Sequence, residues 1–364
     1  MAITTTTTPP SKPKPRTIHL GDRAALAAAL RSPHPVLVHL NADTTWLLQL
    51  PYPAGVAPPA GRTRFNILID PWLTGPQSDV AGWFSTQWHL IAPSVQTVAE
   101  LDALLAEAEV GPDSGGAGPP SGLGSGQGRE GHEKRSYIDV VALSHEFTDH
   151  CHEATLRELP RTTPVFATEK AAELVRSWRH FDTVVTTTGF SSETGDWRKT
   201  LSLAPLPDWV GIGRVITAGN ALYYHSAIMV VFDTTTSAAS GAGNGNAVVY
   251  SPHGIKGPDL QSVSGAGIRT LALLHGLHDV RIWMTKQLNL GAINGLEAVR
   301  ASGARYWVAT HDEVKKGGGF IAPLLRRTAY TLADAVRTET ERAGGEVPDY
   351  AFVELGSGHG LVLV

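Results

Sequence analysis

The sequence predicts a layered α/β sandwich and not a parallel, doubly wound sheet, and three observations carry that reading. Strand-like runs fall in two groups with helical patterns between them, as in two packed sheets rather than a succession of βαβ units. With 364 residues, 42% apolar and 18% charged, the chain can bury a large core. Several of the apolar runs end on an aspartate or a histidine, and strand ends on one rim of a sheet are where side chains converge on a rigid frame.

The bulk properties narrow the function. The formal net charge is −4, from 30 basic and 34 acidic residues, and neither sign forms a long block. This argues against nucleic acid as a partner. No apolar run approaches the length of a membrane span. Cys151 is the only cysteine, so no disulfide can form within the chain, which fits a reducing, cytoplasmic compartment. Residues 1–16, a Thr run followed by Pro and Lys, lack the apolar core of a secretory signal and read as a disordered tail. Their basic, hydroxyl-rich make-up offers organelle targeting as the alternative. Residues 17–364 read as a single domain without an internal repeat.

Taken in order, residues 36–41, 46–50 and 65–70 look like strands separated by turn-rich loops. Ser94 reads as the N-cap of a helix in which Val95, Val98, Leu101, Leu104, Leu105 and Ala108 recur at helical spacing. Residues 111–135 are dominated by Gly, Pro and Ser and read as a disordered insertion. The apolar run from Tyr137 to Leu143 follows as a buried strand. A short helix at 153–159, a strand at 165–168 and a helix at 169–178 come next. Strands are expected at 183–187, 200–206, 214–219 and 227–234, the last forming a hairpin with 247–251 across the Gly/Ser/Asn stretch 240–246. A strand at 270–274, a helix at 292–301, a strand at 306–310, a long helix at 321–343 and strands at 351–355 and 361–364 close the chain.

The chemistry concentrates in the loop after Leu143, which reads Ser144, His145, Glu146, Phe147, Thr148, Asp149, His150, Cys151, His152. Three histidines and an aspartate fall within eight residues, and neutral imidazoles with a carboxylate are the ligand set of zinc, iron or manganese. Four other points stand at strand ends: Asp70, His225, His253 and His311. Cys151 and His152 adjoin the loop, but the short helix that starts there turns them away. His275 and His278 read as core or surface histidines, with a place in a pocket as the alternative. The glycine-rich run 356–360 lacks the following helix that phosphate binding needs, and reads as a tight turn. Trp72, Trp83, Phe84, Trp88 and His89 line a cleft beside Asp70 or form an aromatic cluster at the edge of the core. No Gly-x-Ser-x-Gly elbow is present, which disfavours a serine hydrolase.

In the order Asp70, His145 to His150, His225, His253 and His311, the chain resembles the metallo-β-lactamase-fold hydrolase superfamily, from about Val36 to His311. The resemblance implies a four-layer αββα sandwich. It implies metal ligands at His145, Asp149, His150, His225, His253 and His311, with Asp70 orienting a ligand histidine more than binding metal itself. Two positions depart from the family pattern. Phe147 stands where a further histidine ligand is expected, and His253 stands where an acidic residue bridges two metals. An imidazole rarely spans two metals, so the expected centre is mononuclear. It holds one ion, zinc first with iron or manganese as alternatives, on Asp149, His150 and His311, with His253 close by and His225 or His145 as further candidates.

The implied activity is a metal-dependent hydrolase acting through a metal-bound hydroxide on a small ester-, lactone-, amide- or phosphodiester-like substrate. Asp149 both binds metal and orients the hydroxide, and His253 is a substrate-binding or acid/base group. The alternatives are an altered family member that only binds a ligand, and an iron-dependent redox or isomerase activity on the same scaffold. Substrate identity and oligomeric state have no sequence signature.

Overall fold

Alternate residues of the buried strands face two different cores, and this sets the layers. The computed structural model describes residues 14–78, 82–110, 136–191, 196–216, 224–235, 245–282, 286–320, 322–343 and 350–364. In β2 (Val36–His39), Val36 and Val38 face outward while Leu37 faces inward. In β3 (Trp46–Pro51), Leu47 faces outward and Trp46, Leu48 and Leu50 inward. β4 (Arg64–Ile69) and β6 (Val140–Leu143) repeat the division, with Leu68, Val141 and Leu143 on one side and Ile67, Ile69, Val140 and Ala142 on the other. Strands covered on both faces read as continuous apolar runs, which is why they stand out in the sequence.

These strands belong to an eight-stranded sheet in the order β1-β20-β2-β3-β4-β6-β7-β8. Its other members are β1 (Arg16–His19), β7 (Val165–Ala167), β8 (Val184–Thr186) and β20 (His359–Val362). β4, β6, β7 and β8 are parallel, and the strands on the other side pair antiparallel. The second sheet has seven strands in the order β19-β16-β13-β12-β11-β10-β9. They are β9 (Thr188–Phe190), β10 (Val210–Ile216), β11 (Ser226–Phe232), β12 (Gly245–Ser251), β13 (Ile268–His275), β16 (Tyr306–Val308) and β19 (Ala351–Val353). Here Ile228, Val230, Phe232, Val248 and Tyr250 face the first sheet, and Ala227, Met229, Val231 and Val249 face away.

Helices cover both outer faces. α1 (Arg23–Leu30), α2 (Val98–Val110), α3 (Glu153–Leu156) and α4 (Glu169–Ser177) pack their apolar residues against the first sheet. α5 (Trp197–Leu201), α6 (Gly257–Gly265), α7 (Ala292–Ser302) and α8 (Leu332–Ala343) cover the second. The result is the expected helix–sheet–sheet–helix sandwich. Two small sheets decorate one rim. β5 (Thr86–Trp88) pairs with β17 (Lys316–Gly318), and β14 (Asp279–Ile282) lies between β15 (Lys286–Asn289) and β18 (Leu325–Thr328). Among the described residues no helix is long and apolar enough to cross a membrane.

Several elements differ from expectation. Residues 200–206 are not a strand. Asp196 accepts a hydrogen bond from the Arg198 N–H at 3.1 Å and starts α5, whose Trp197 and Leu201 lie against Gly211 and Gly213 of β10. The long helix at 321–343 is two elements, because residues 325–328 pair with β14 before Thr331 caps α8. α2 begins at Val98 and not near Ser94, with Thr97 Oγ1 accepting from the Glu100 N–H at 3.1 Å. Arg16 already pairs with Val362, so the strand order begins within the expected tail. Residues 1–13, the insertion 111–135 and residues 240–244 of the expected hairpin turn lie outside the described residues.

The second sheet and its helices fit closely. A Cβ on Gly295 of α7 would overlap the fully buried Trp307 ring of β16. Gly295→Ala is therefore expected to destabilise the protein by about 1–3 kcal/mol, read as a lower midpoint of denaturant unfolding. An unchanged midpoint would show that the helix is free to shift.

Candidate metal centre

The parallel strands β4 and β6 of one sheet, and β12 and β16 of the other, end at a common rim, and the residues after each end meet there. The turn between β2 and β3 joins them because β3 runs antiparallel to β4. The residues before β11 join them because β11 runs antiparallel to β12. Asp70, His145, Asp149, His150, His253 and His311 are all buried.

Two trios of donor atoms lie within 4.8 Å of one another: His145, His150 and His253, and Asp149, His150 and His311. His150 belongs to both. Its Nε2 is 3.1 Å from His253 Nε2 and 3.5 Å from Asp149 Oδ1, and His311 Nε2 is 3.8 Å from Asp149 Oδ2. Ligands about 2.0–2.1 Å from a tetrahedral ion stand roughly 3.3 Å apart, so these separations are on the scale of a metal site.

The outer nitrogens are already occupied. His150 Nδ1–H donates to Asp70 Oδ2 at 2.7 Å, His253 Nδ1–H donates to Asn289 Oδ1 at 2.9 Å, and His311 Nδ1–H donates to Asp43 Oδ1 at 2.9 Å. With the Nδ1 positions protonated, the Nε2 lone pairs of His150 and His253 face each other. Such a contact takes a proton or a metal ion between them. Burial draws the His150 imidazole down, but Asp149 and Asp70 outweigh it, and the net shift is upward. Burial, reinforced by His145, His150 and His311, keeps His253 well below the ordinary histidine range, and burial also lowers His311. Burial thus disfavours charge on His253 and His311, whereas the carboxylates favour a positive charge at His150.

Backbone strain holds two of these positions. Asp70 has φ 44° and His311 φ 57°, a region that costs a non-glycine residue about 1–3 kcal/mol. Asp70 is fixed by accepting from the Ser144 N–H at 2.7 Å and from the Ser144 hydroxyl. His311 is fixed by its own N–H, which donates to the Asp43 carbonyl at 2.9 Å. Asp43 therefore holds His311 through both main chain and side chain.

Not every candidate joins the cluster. His225 lies outside both trios, and its Nδ1–H donates to the His253 carbonyl at 3.1 Å, which steadies the loop that carries His253. His145 Nε2–H donates to the Tyr224 carbonyl at 3.0 Å. Phe147 stacks on Tyr224 at 5.2 Å between ring centres and lies parallel to His145 at 5.9 Å, so the position expected to carry a further ligand is an aromatic wall. Cys151 is in the core beneath the loop, and His152 caps α3. His275 is buried and bonded to Asn294. Trp72 is buried and stacks on His89 at 3.7 Å, whereas Trp83 is exposed.

Three participants escaped the sequence reading. Asp43 sits in a turn made by Asn41, whose Oδ1 accepts from the Asp43 and Thr45 N–H groups. Asn289 is the acceptor for His253. Lys315 lies four residues beyond His311, with its Nζ 2.8 Å from Asp149 Oδ2 and 2.6 Å from Asp43 Oδ2. Burial lowers the Lys315 ammonium, but Asp149 and Asp43 more than reverse this and keep it charged. Burial raises Asp149, and Lys315, His150 and His311 together bring it well below the ordinary range.

No protein-family model matches the sequence, and no curated protein matches it either. Solved structures do. The isothiocyanate hydrolase from Delia radicum gut bacteria is 16% identical, with 90% of this chain and 99% of that chain covered at a TM-score of 0.50. A possible metal-dependent hydrolase from Veillonella parvula is 13% identical, with 91% and 100% covered at 0.50. The metallo-β-lactamase-fold protein YhfI from Bacillus subtilis is 12% identical, with 90% and 98% covered at 0.44. The chain has the metallo-β-lactamase fold. At these identities the likeness is one of fold, and the chemistry of the site rests on its own residues. In this metallo-β-lactamase fold the rim between the two sheets carries two departures from the resemblance, Phe147 and His253, and one charged group that no resemblance announced, Lys315.

Asp70→Asn replaces the acceptor of the His150 Nδ1–H with a neutral amide. Its expected effect is a fall in zinc affinity of about 10–100-fold, measured by chelator competition. Unchanged affinity would mean that Asp70 does not orient His150 toward an ion.

Proposed function

We propose that this chain is a metal-dependent hydrolase with one ion held by Asp149, His150, His253 and His311. The observation that carries the reading is the His150–His253 pair. Two imidazoles that each donate their Nδ1–H to an outer acceptor present their Nε2 atoms to one another at 3.1 Å. The donor set, three imidazole nitrogens and one carboxylate oxygen, suits zinc, with iron or manganese as alternatives. Held by these residues, a divalent ion would supply Lewis acidity, acidifying water and polarising a carbonyl or phosphoryl oxygen.

The chain's own groups do the rest. Asp70, Asn289 and Asp43 fix the rings of His150, His253 and His311, so that no side chain must reorient during turnover. Asp149 has divided oxygens: Oδ1 faces His150, and Oδ2 is held by Lys315. That division favours a ligand role for Asp149 over a role as proton acceptor. Phe147 and Tyr224 form an apolar wall beside His145 and His253, which restricts water on that side. The substrate class proposed is a small ester, lactone, amide or phosphodiester, and the fold shared with the two hydrolases accords with it.

Metal analysis after reconstitution tests the reading. The parent protein is expected to retain about one zinc or iron per chain, to hydrolyse members of an ester, lactone and phosphodiester panel, and to lose both ion and activity in Asp149→Ala and His311→Ala. Protein that stays metal-free after supplementation would overturn the proposal. Metal retention without activity across the panel would favour a ligand-binding role instead.

A further inference from the structure

Lys315 carries its ammonium to the edge of the centre, and its surroundings are those of a bound cation. Its side chain is only 6% exposed, and Nζ reaches Asp149 Oδ2 at 2.8 Å and Asp43 Oδ2 at 2.6 Å. The same nitrogen lies 5.3 Å over the ring of Trp72. Asp43 gives its other oxygen, Oδ1, to His311, and Asp149 keeps its other oxygen, Oδ1, toward His150. One ammonium thus occupies the outer oxygen of each of two buried carboxylates whose inner oxygens serve the metal ligands or the ion.

We infer that Lys315 is a built-in cation of the metal centre that takes the place of a second metal ion and confines the centre to one. The inference rests on the metal reading above and adds what sets the stoichiometry. Among the described residues three carboxylates bond to or pair with the cluster, Asp43, Asp70 and Asp149, and all are buried. One ammonium and one divalent ion balance their charge. A second divalent ion would leave excess positive charge in a buried site, and the outer oxygens of Asp43 and Asp149 already face Nζ, the first as a close ion pair and the second as a hydrogen-bond acceptor. The loop that carries Lys315 is held in place. Glu313 is buried, pairs with His89 at 2.7 Å and accepts from the N–H groups of Leu90 and Ile91 at 2.7 and 2.9 Å. The ammonium is therefore fixed by its own chain and does not depend on an ion for its position. Lys315 acts here as a positioning residue: it sets which oxygen of Asp149 is available and does not itself touch the reacting atoms.

The test is zinc titration by calorimetry, with elemental analysis of the dialysed protein, on the parent, Lys315→Arg and Lys315→Met. The parent and Lys315→Arg, which keep the positive charge, are expected to bind one ion per chain. Lys315→Met is expected to bind a second ion, and its cobalt(II)-substituted form to show a changed visible absorption spectrum from altered Asp149 coordination. Lys315→Gln, which keeps a hydrogen-bonding head without the charge, replaces Lys315→Met if that variant does not fold, and the same second ion is expected. Two ions in the parent would overturn the inference while leaving the metal reading intact. So would a neutral variant that binds one ion with unchanged affinity and spectrum. A parent that binds no ion would instead overturn the metal reading and, with it, this inference.

Discussion

Burying several imidazoles and carboxylates on one rim is tolerable only if every nitrogen and oxygen has a partner. The rings of His150, His253 and His311 meet this by pointing Nδ1 outward to Asp70, Asn289 and Asp43. That choice determines everything inward of it. It turns the Nε2 atoms of His150 and His253 toward one another and that of His311 toward Asp149, and makes a cation the natural complement of the site. An unpaired buried carboxylate or a misdirected ring would cost several kcal/mol, so the outer partners are as much a part of the centre as the inner ligands.

The fold supplies that arrangement through strand direction. β4 and β6 are parallel, as are β12, β13 and β16, so their C-terminal ends deliver Asp70, the histidine loop, His253 and His311 to the same edge. The two sheets are pinned together from behind by residues such as Trp46, Phe166, Phe232 and Tyr250, and this keeps the two halves of the site in register. The left-handed backbone at Asp70 and His311 shows where the frame is forced: both residues leave their strands at angles that the extended backbone does not reach, and both are held by hydrogen bonds from the opposing turn or loop.

Much of this was legible in the sequence because buried strands announce themselves as apolar runs and their ends carry the polar chemistry. The central strands and the positions of Asp70, Asp149, His150, His253 and His311 could be read that way. What could not be read depends on distance along the chain. Asp43 looks like any turn aspartate, and only the fold brings it to His311, 268 positions away. Lys315 sits in a run with Asp312, Glu313 and Lys316 that has the composition of a solvated loop, yet its ammonium is enclosed. Residues 200–206 read as a strand, but the Asp196 cap and the glycines of β10 made room for a helix. His225 had a ligand's place in the order of elements, and its ring instead braces the main chain of His253.

The most direct test of a one-ion centre is zinc K-edge X-ray absorption on the reconstituted protein. The account predicts a first shell of nitrogen and oxygen at about 2.0–2.1 Å, with the multiple scattering of three imidazoles and no metal neighbour. A metal–metal vector at about 3.5–4 Å, or a shell with fewer than three imidazoles, would contradict it.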